Sequence, residues 1–278
     1  MCGDIHADSS VHPPPHYEQG DMTINNLLEP PAWSPTLAPA GRQSQGLVLL
    51  DRRKHRPARA IPWGMGETPS RRALNLAVAA LGLLAAAPVM AFTALAIALT
   101  SRRPVLYTQI RIGLDRRKSR CEDGHPRRRH DLGGRPFEMY KFRTMDVDAE
   151  RLTGAVWARP NDPRVTRLGR FLRRYRLDEL PQFLNVLKGD MNVVGPRPER
   201  PAIFAQLRQA IREYPLRQRT RPGITGLAQI NQQYDSSVDD VRRKLRFDLD
   251  YIWTQGVVTD LRILFLSAPA VLFRCRGW

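Results

Sequence analysis

The chain has few cysteines, and their positions exclude two common structural uses. Cys2, Cys121 and Cys275 are the three cysteines among 278 residues, and they lie far apart in the sequence. An odd number of distant cysteines fits neither a disulfide framework nor the short spacings of a zinc site. The N-terminal region also lacks a basic segment followed by an apolar one, so we expect no secretory signal. These absences favour a reducing location that faces the cytosol.

Acidic residues and lysine are scarce beside arginine. The formal net charge is +17, and only five of the 44 basic residues are lysine. Such an excess implies an anionic partner, which could be nucleic acid, anionic lipid or a phosphorylated substrate. The sequence lacks aromatic platforms among its basic residues and lacks a helix-turn-helix, so we expect no nucleic-acid partner. A non-catalytic, membrane-tethered protein that binds anionic lipid or nucleic acid through charge alone remains an alternative.

Residues 1–70 lack a sustained apolar period and are rich in proline, serine and glycine. This composition is typical of disordered segments, so we predict a disordered, partly basic tail. The remainder, 71–278, is predicted to form one domain. It begins with a membrane segment at 71–103 and continues with a folded part at 104–270, which contains a basic loop at 114–135.

The membrane segment contains about 28 consecutive residues without a charge, more than the ~18 that suggest membrane insertion. As a straight helix it would be ~42 Å long, against a hydrocarbon core of ~30 Å. Pro88 lies near its middle, where proline kinks a helix. Arginine pairs flank both ends, and both pairs favour the cytoplasmic side. We therefore predict a re-entrant helix that enters and leaves the same leaflet, with a tilted, kinked span as the alternative.

Two stretches after the membrane segment have the alternation and the β-branched and aromatic residues of strands. These are Val105–Ile112 and Pro136–Met145, and they flank the basic loop, where no third ligand accompanies His125 and His130. Asp146 and Asp148 then form a weak Asp-x-Asp pattern. That pattern leaves open a metal-dependent glycosyltransferase that releases UDP.

Asp178 and Glu179 are adjacent carboxylates just before a predicted short helix. Pro181 suits the first turn of that helix, Leu180, Leu184 and Leu187 fall on one of its faces, and Gly189 suits its C-terminal end. Carboxylates at this position beside several arginines could hold a divalent metal, attack phosphorus or cap the helix.

Several stretches, taken together and in order, resemble the bacterial sugar transferase family, also called polyprenyl-phosphate hexose-1-phosphate transferases or monotopic phosphoglycosyl transferases. The resemblance covers roughly residues 71–270, and its most specific parts are DELPQ and GPRP. The matching stretches are SRRPVLYTQIRIG (Ser101–Gly113), YKFRTM (Tyr140–Met145), the segment Asp162–Pro201, RPGITGLAQIN (Arg221–Asn231), FDLDYI (Phe247–Ile252) and TDLRILF (Thr259–Phe265).

The resemblance implies transfer of a sugar 1-phosphate from a UDP-sugar to a polyprenyl phosphate such as undecaprenyl phosphate. The products would be a polyprenyl diphosphosugar and UMP, at the start of exopolysaccharide, lipopolysaccharide O-antigen or similar glycan assembly. The expected partners are the UDP-sugar, the polyprenyl phosphate and the membrane, and enzymes of a polysaccharide pathway are further candidates. The implied location is the bacterial inner membrane, with the catalytic part, 104–270, facing the cytoplasm.

The resemblance also implies roles for individual residues. Asp178 corresponds to the nucleophile that forms an aspartyl-phosphosugar intermediate, with Glu179 completing the catalytic pair and Mg²⁺ bound near Asp178. The two side chains can face one substrate only if the backbone is irregular, which we attribute to the restriction that Pro181 places on the residue before it. The family's membrane helix breaks at a Ser-Pro pair, which here is Ala87-Pro88. The candidate ligands for substrate phosphate are Arg173, Arg197, Arg221, Lys141 and Arg143.

The expected fold class is α+β. We predict a mostly helical monotopic membrane domain with a re-entrant N-terminal helix, a small β-hairpin and helices at the cytoplasmic membrane face. Apolar spacing predicts further helices over Ile203–Tyr214 and Val238–Trp253. The segment Leu261–Phe273 could be either an interfacial helix or an ordinary packed helix.

Overall fold

The structure is a computed structural model. It describes residues 61, 67–101, 104–116, 133–147, 149, 162–232 and 237–272, with side chains up to 267. Most of the predicted tail and of the basic loop, the three cysteines, His125, His130 and Asp148 lie outside the described residues.

Within these ranges the chain forms seven α-helices, four short strands and two 3₁₀ turns. The helices are α1 (Pro69–Thr100), α2 (Arg167–Arg174), α3 (Gln182–Lys188), α4 (Pro201–Ala210), α5 (Leu227–Asn231), α6 (Val238–Thr254) and α7 (Val257–Leu272). The strands are β1 (Leu106–Ile112), β2 (Pro136–Phe142), β3 (Asn192–Val194) and β4 (Gly223–Thr225), and the 3₁₀ turns are Leu177–Glu179 and Tyr214–Arg219. The prediction of a mostly helical α+β chain with a small hairpin is confirmed.

Helix α1 is a continuous helix that passes through Pro88. Thr68 caps its N-terminus, where the Oγ1 atom accepts a hydrogen bond from the backbone N–H of Arg71. The helix is long and apolar enough to cross a membrane. Its middle is exposed: Leu84 and Phe92 keep 75% and 73% of their surface. Apolar side chains this exposed in a long helix are typical of contact with lipid.

Both ends of α1 pack on the rest of the protein. Near the start, Ala79 is fully buried in a cluster with Phe137 and Val193. Near the end, Ile97 is buried in a separate cluster with Phe142 and Leu172. The helix therefore contacts the folded part at its two ends, and its exposed middle lies between these contacts.

The first turn of α1 is also held by a buried polar network. Arg71 is 2% exposed and donates to Asp260 of α7 over 2.6 Å and to the hydroxyl of Tyr251 of α6 over 2.6 Å. A buried charge of this kind is tolerated only when it is paired and hydrogen-bonded. The network fixes the start of α1 against α6 and α7.

Strands β1 and β2 form the predicted antiparallel hairpin, with a register that runs from Leu106↔Phe142 to Ile112↔Pro136. The predicted end of the second strand at Met145 is wrong, because β2 ends at Phe142. The backbone N–H of Arg143 still donates to Val105, but Met145 forms a bridge to Val165. The chain turns away from β1 at this point to approach α2.

The parallel pair of β3 and β4 was not predicted, because three-residue strands carry too little periodicity. The strands approach closely at Gly223, where a Cβ atom would lie 2.0 Å from the backbone nitrogen of Gly195. Glycine is therefore required for this contact.

The helix predicted over Val238–Trp253 is confirmed by α6, and the helix predicted over Leu261–Phe273 corresponds to α7, which starts earlier at Val257. The helix predicted over Ile203–Tyr214 ends too late. Helix α4 stops at Ala210, because the next residue, Ile211, adopts an extended backbone and is buried in the core.

Candidate active site

The two adjacent carboxylates lie in a sharp turn between α2 and α3. Arg176 begins this turn in the left-handed region, with φ 54° and ψ 22°. A residue other than glycine costs roughly 1–3 kcal/mol there, so the surrounding structure must hold it. The expected irregular backbone is present as the 3₁₀ turn, but our reason for it was wrong. Leu180, the residue before Pro181, has α geometry, and the irregularity comes from Arg176.

Helix α3 follows the turn and is confirmed, with Gly189 at its C-terminal end in the left-handed region at φ 84°. The leucine face of this helix does not form the core. Leu184 and Leu187 are more than one third exposed, whereas Asn185 and Val186 are fully buried. The apolar spacing therefore predicted the position of the helix correctly, but it did not predict which face of the helix packs against the rest of the protein.

Asp178 and Glu179 are both buried, with 7% of their surface exposed. Oε1 of Glu179 lies 2.7 Å from Arg197, in the loop after β3, and 3.1 Å from Lys141 of β2. Its second oxygen, Oε2, lies 3.4 Å from Arg176. The carboxylate of Glu179 thus forms ion pairs with three cations that come from three separate segments of the chain.

The two carboxyl groups differ in their acidity. Burial alone would raise the pKa of Glu179, but the charges of Arg197, Lys141 and Arg176 outweigh it and hold that pKa well below its ordinary value. Burial raises the pKa of Asp178, and the charge of Glu179 adds to this rise. Neighbouring carboxyls whose environments separate their pKa values are typical of catalytic pairs.

The carboxylate of Asp178 makes fewer hydrogen bonds and ion pairs than that of Glu179. In the described part of the chain, no group forms a hydrogen bond or ion pair with it under ordinary distance limits. Lys141, Arg173 and Arg197 are close enough for their charges to favour its ionised form. A carboxylate in a cationic environment without a fixed partner is available to a reacting group.

Arg173 of α2 is placed beside this pair. Its Nε donates to Oγ1 of Thr144 over 2.8 Å. Burial lowers the pKa of Arg173, against the opposing charges of Asp178 and Asp162. Lys141 is half-buried, and its partial removal from water lowers its pKa. The structure therefore brings Lys141, Arg173 and Arg197 together around the two carboxylates.

The remaining two candidate phosphate ligands lie elsewhere. Arg221 pairs with Glu67, close to the start of α1. Arg143 lines a cleft that also includes Asp146. Their predicted roles in binding substrate phosphate stay predictions.

Asn185 is a supporting residue that sequence reasoning missed. Its Oδ1 accepts from the backbone N–H of Tyr140 over 3.0 Å, and its Nδ2 donates to the carbonyl of Glu138 over 2.6 Å. These bonds fix α3 against β2, next to Lys141. The available signal was a polar residue within the short helix, which by itself does not distinguish a buried position from an exposed one.

The side chains present fit a magnesium ion that arrives with a substrate, but not a resident metal centre. Glu179 is already bound to cations, so Asp178 offers the one carboxylate at the site. Within the described ranges, no three His, Cys, Asp or Glu side chains converge. Mg²⁺ commonly binds one or two carboxylates, keeps several waters and completes its shell with substrate phosphates.

Comparison with known proteins adds the family context. The model of the family described as bacterial sugar transferase matches residues 67–123 and 124–274. An undecaprenyl-phosphate glucose phosphotransferase of Komagataeibacter xylinus is 41% identical over 216 residues, which are 76% of this chain and 37% of that protein.

Two further relatives differ in length. A UDP-glucose:undecaprenyl-phosphate glucose-1-phosphate transferase of Escherichia coli (strain K12) is 42% identical over 199 residues, 71% of this chain and 39% of that protein. An exopolysaccharide production protein PSS of Rhizobium leguminosarum bv. phaseoli is 36% identical over 213 residues, 75% of this chain and 98% of that protein. The chain thus spans well under half the length of the first two relatives and nearly all of the third.

Proposed function

The chain belongs to the bacterial sugar transferase family, and from this premise we propose that it transfers a sugar 1-phosphate from a UDP-sugar to undecaprenyl phosphate. The expected products are undecaprenyl diphosphosugar and UMP. The names of the relatives make UDP-glucose the first donor to test. The name of the shorter relative makes exopolysaccharide assembly the first pathway to test.

One observation carries the proposal: among the described residues Asp178 has no hydrogen-bond or ion-pair partner, although it is buried among cations beside Glu179, whose pKa is held well below its ordinary value. A structural carboxylate in this environment would be paired, as Glu179 is. A nucleophile must remain free to reach phosphorus, and its charge must be tolerated before the substrate arrives. The environment of Asp178 meets both requirements.

In the proposed first step, a carboxylate oxygen of Asp178 attacks the phosphorus that carries the sugar. The bond between that phosphorus and the oxygen bridging the two phosphates breaks, and UMP leaves with the electron pair. In the second step, a phosphate oxygen of the polyprenyl phosphate attacks the same phosphorus. The bond to Asp178 breaks, which regenerates the carboxylate and yields the lipid diphosphosugar.

The neighbouring residues would position and stabilise these groups. Glu179 holds Lys141 and Arg197 in place, so that their remaining N–H groups face the substrate phosphates. Arg173 would contribute a third cation on the side of α2. Mg²⁺, bound by Asp178 together with the diphosphate, would neutralise the charge that develops on the phosphate oxygens.

We further infer that α1 is re-entrant and holds the catalytic part at the cytoplasmic face of the inner membrane. The two ends of α1 pack on the same folded body, and the exposed apolar middle lies between them. A span across the bilayer would separate its two ends by the full ~30 Å hydrocarbon core. In a variant whose three native cysteines are replaced by serine, single cysteines introduced at Thr68 and Ser101 should both react with a membrane-impermeant reagent from the cytoplasmic side, and labelling from opposite sides would contradict the inference.

Nucleotide release tests the reaction. The purified protein in nanodiscs should release UMP from one of a panel of UDP-sugars when Mg²⁺ and undecaprenyl phosphate are present. Asp178→Asn should abolish this release and still insert in membranes. Release of UDP would instead assign an ordinary glycosyl transfer and contradict the role of Asp178.

A further inference from the structure

We propose that a cleft at the C-terminal end of α1 binds the phosphate head of the polyprenyl acceptor. This inference rests on the proposed function. The cleft has a volume of about 570 Å³, within the ~300–1,000 Å³ typical of ligand sites. It lies between the last turn of α1 and the beginning of α2. Its lining residues are Thr100, Ser101, Arg143, Met145, Asp146, Val147, Thr166, Arg167 and Leu168.

The cleft has a lipid-facing approach. Phe92, Leu95 and Leu99 recur at i, i+3 and i+7 on α1, so they share one face of the helix. They are 73%, 57% and 78% exposed. This apolar face ends one residue before Thr100, at the lip of the cleft. An isoprenoid tail could follow the face in the membrane and place its phosphate in the cleft.

The charges in the cleft suit a phosphate monoester. Arg143 follows β2 and Arg167 begins α2, so two arginines line the cleft from separate segments of the chain. Asp146 also lines the cleft and partly offsets them, which leaves one net positive charge among the described lining residues. Guanidinium groups bind phosphate oxygens through paired hydrogen bonds.

The cleft adjoins the carboxylate pair. The backbone N–H of Arg143 donates to Val105 over 2.9 Å, so the extended pairing of β2 continues to this residue. Lys141 and Arg143 are therefore two residues apart on one side of an extended segment, roughly 7 Å along the chain. Lys141 contacts Glu179 at 3.1 Å. A phosphate bound at Arg143 would lie one strand step from Lys141, whose charge also acts on Asp178.

A second link runs through α2. Thr144 follows Arg143, and its Oγ1 accepts from Arg173 over 2.8 Å. Arg173 in turn acts on Asp178 through its charge. The wall of the cleft and the nucleophile are thus linked through Thr144 and Arg173. An acceptor site for the second step must lie close to the nucleophile in this way. The donor nucleotide has no apolar tail, so the lipid-facing approach favours the acceptor as the occupant.

The first test separates the two half-reactions. Arg167→Ala should raise the KM for undecaprenyl phosphate about tenfold, because one charge-assisted hydrogen bond contributes about 1.5 kcal/mol and 1.4 kcal/mol is a factor of ten. The UMP released in a single turnover without acceptor, and the KM for the donor, should stay unchanged. A rise in the donor KM without a rise in the acceptor KM would assign the cleft to the nucleotide, and no change in either KM would overturn the site.

Arg174→Ala is the matched control, because Arg174 is an exposed arginine on the same helix outside the cleft. It should change the acceptor KM less than twofold. An equal rise for Arg174→Ala and Arg167→Ala would show that general attraction to the membrane explains the effect, and the proposal would fail.

The second test does not depend on turnover. A photoreactive farnesyl phosphate should label the cleft of the wild-type protein in nanodiscs, and undecaprenyl phosphate should compete. Phosphatidylglycerol should not compete, since competition by this lipid would make the cleft a general headgroup site. Labelling without any UMP release would refute the proposed function and leave the site standing, whereas UMP release without labelling would refute the site alone.

Discussion

Replacing each of the two adjacent carboxylates by its amide should have different effects on stability: Glu179→Gln should destabilise the fold, and Asp178→Asn should not. Glu179→Gln removes the counter-charge of Lys141, Arg197 and Arg176. Removing one partner of a buried ion pair costs about 3–5 kcal/mol. We expect a smaller loss, about 2–3 kcal/mol, because Arg197 and Arg176 are 36% and 45% exposed and water screens them.

Asp178→Asn should leave the free energy of unfolding unchanged or raise it by up to about 1 kcal/mol. The folded protein raises the pKa of Asp178, because burial penalises its charge and Glu179 repels it. An ionised group whose pKa is raised in the folded state costs stability at neutral pH. The amide removes this cost, as stabilising substitutions at catalytic positions commonly do.

Thermal unfolding in nanodiscs, followed by intrinsic fluorescence, measures both effects. With about 2–4 °C per kcal/mol for a chain of this size, Glu179→Gln should lower the apparent Tm by about 5–10 °C. Asp178→Asn should not lower it, yet both variants should lose UMP release. Parallel membrane-insertion assays control for misfolding.

The pH dependence follows from the sign of each shift. The folded pKa of Glu179 is lowered, so its stabilisation is present above its ordinary pKa and is lost as the pH falls through the folded value. The folded pKa of Asp178 is raised, so its penalty appears as the pH rises through that value. Both variants should therefore approach the wild-type Tm in acid. An equal loss of Tm for Asp178→Asn and Glu179→Gln at neutral pH would refute the reasoning, because Asp178 would then be a paired structural group.

Three further predictions test the site and its support. UMP release should fall in acid with a midpoint above the ordinary aspartate pKa of ~3.9, because the pKa of Asp178 is raised, and a pH–rate profile with a lower midpoint would contradict this. Arg217→Met should cost about 3–5 kcal/mol in urea unfolding, because Asp248 lies 2.8 Å away and both are 2% exposed. Adding Asp248→Leu should recover most of that loss, and a double variant as unstable as the single one would count against the ion-pair explanation. Gly169→Ala should cost about 1–3 kcal/mol and reduce UMP release, because its Cβ would lie 2.0 Å from the carbonyl of Thr144, and an unchanged Tm would contradict this contact.

Several parts of the fold and site were accessible from the sequence because they depend on local chemistry. Helix α1 follows from its long uncharged run, α6 from its apolar period, and the hairpin from alternation. Gly189 marked the end of α3, because a left-handed terminal residue favours glycine. The adjacent Asp178 and Glu179 were identifiable from the ordered motifs around them.

The other features needed tertiary structure. Sequence spacing found the leucine face of α3 but could not show that Asn185 packs inward against β2, since burial depends on which element lies opposite. Arg197 and Arg221 looked alike in sequence, yet Arg197 reaches Glu179, whereas Arg221 pairs with Glu67. Which carboxylate each arginine pairs with depends on contacts between segments that are far apart in the sequence.

The different acidities of the two carboxyl groups also depend on the tertiary structure. Adjacent acids in a sequence have similar ordinary pKa values, so their intrinsic acidity does not distinguish them. Lys141 is 38 residues from Glu179 along the chain, and Arg197 is 18 residues from it. The order of residues places two carboxylates side by side near several arginines. Folding determines which carboxylate is paired with cations and which stays available, because electrostatic interactions depend on distance in space and on burial.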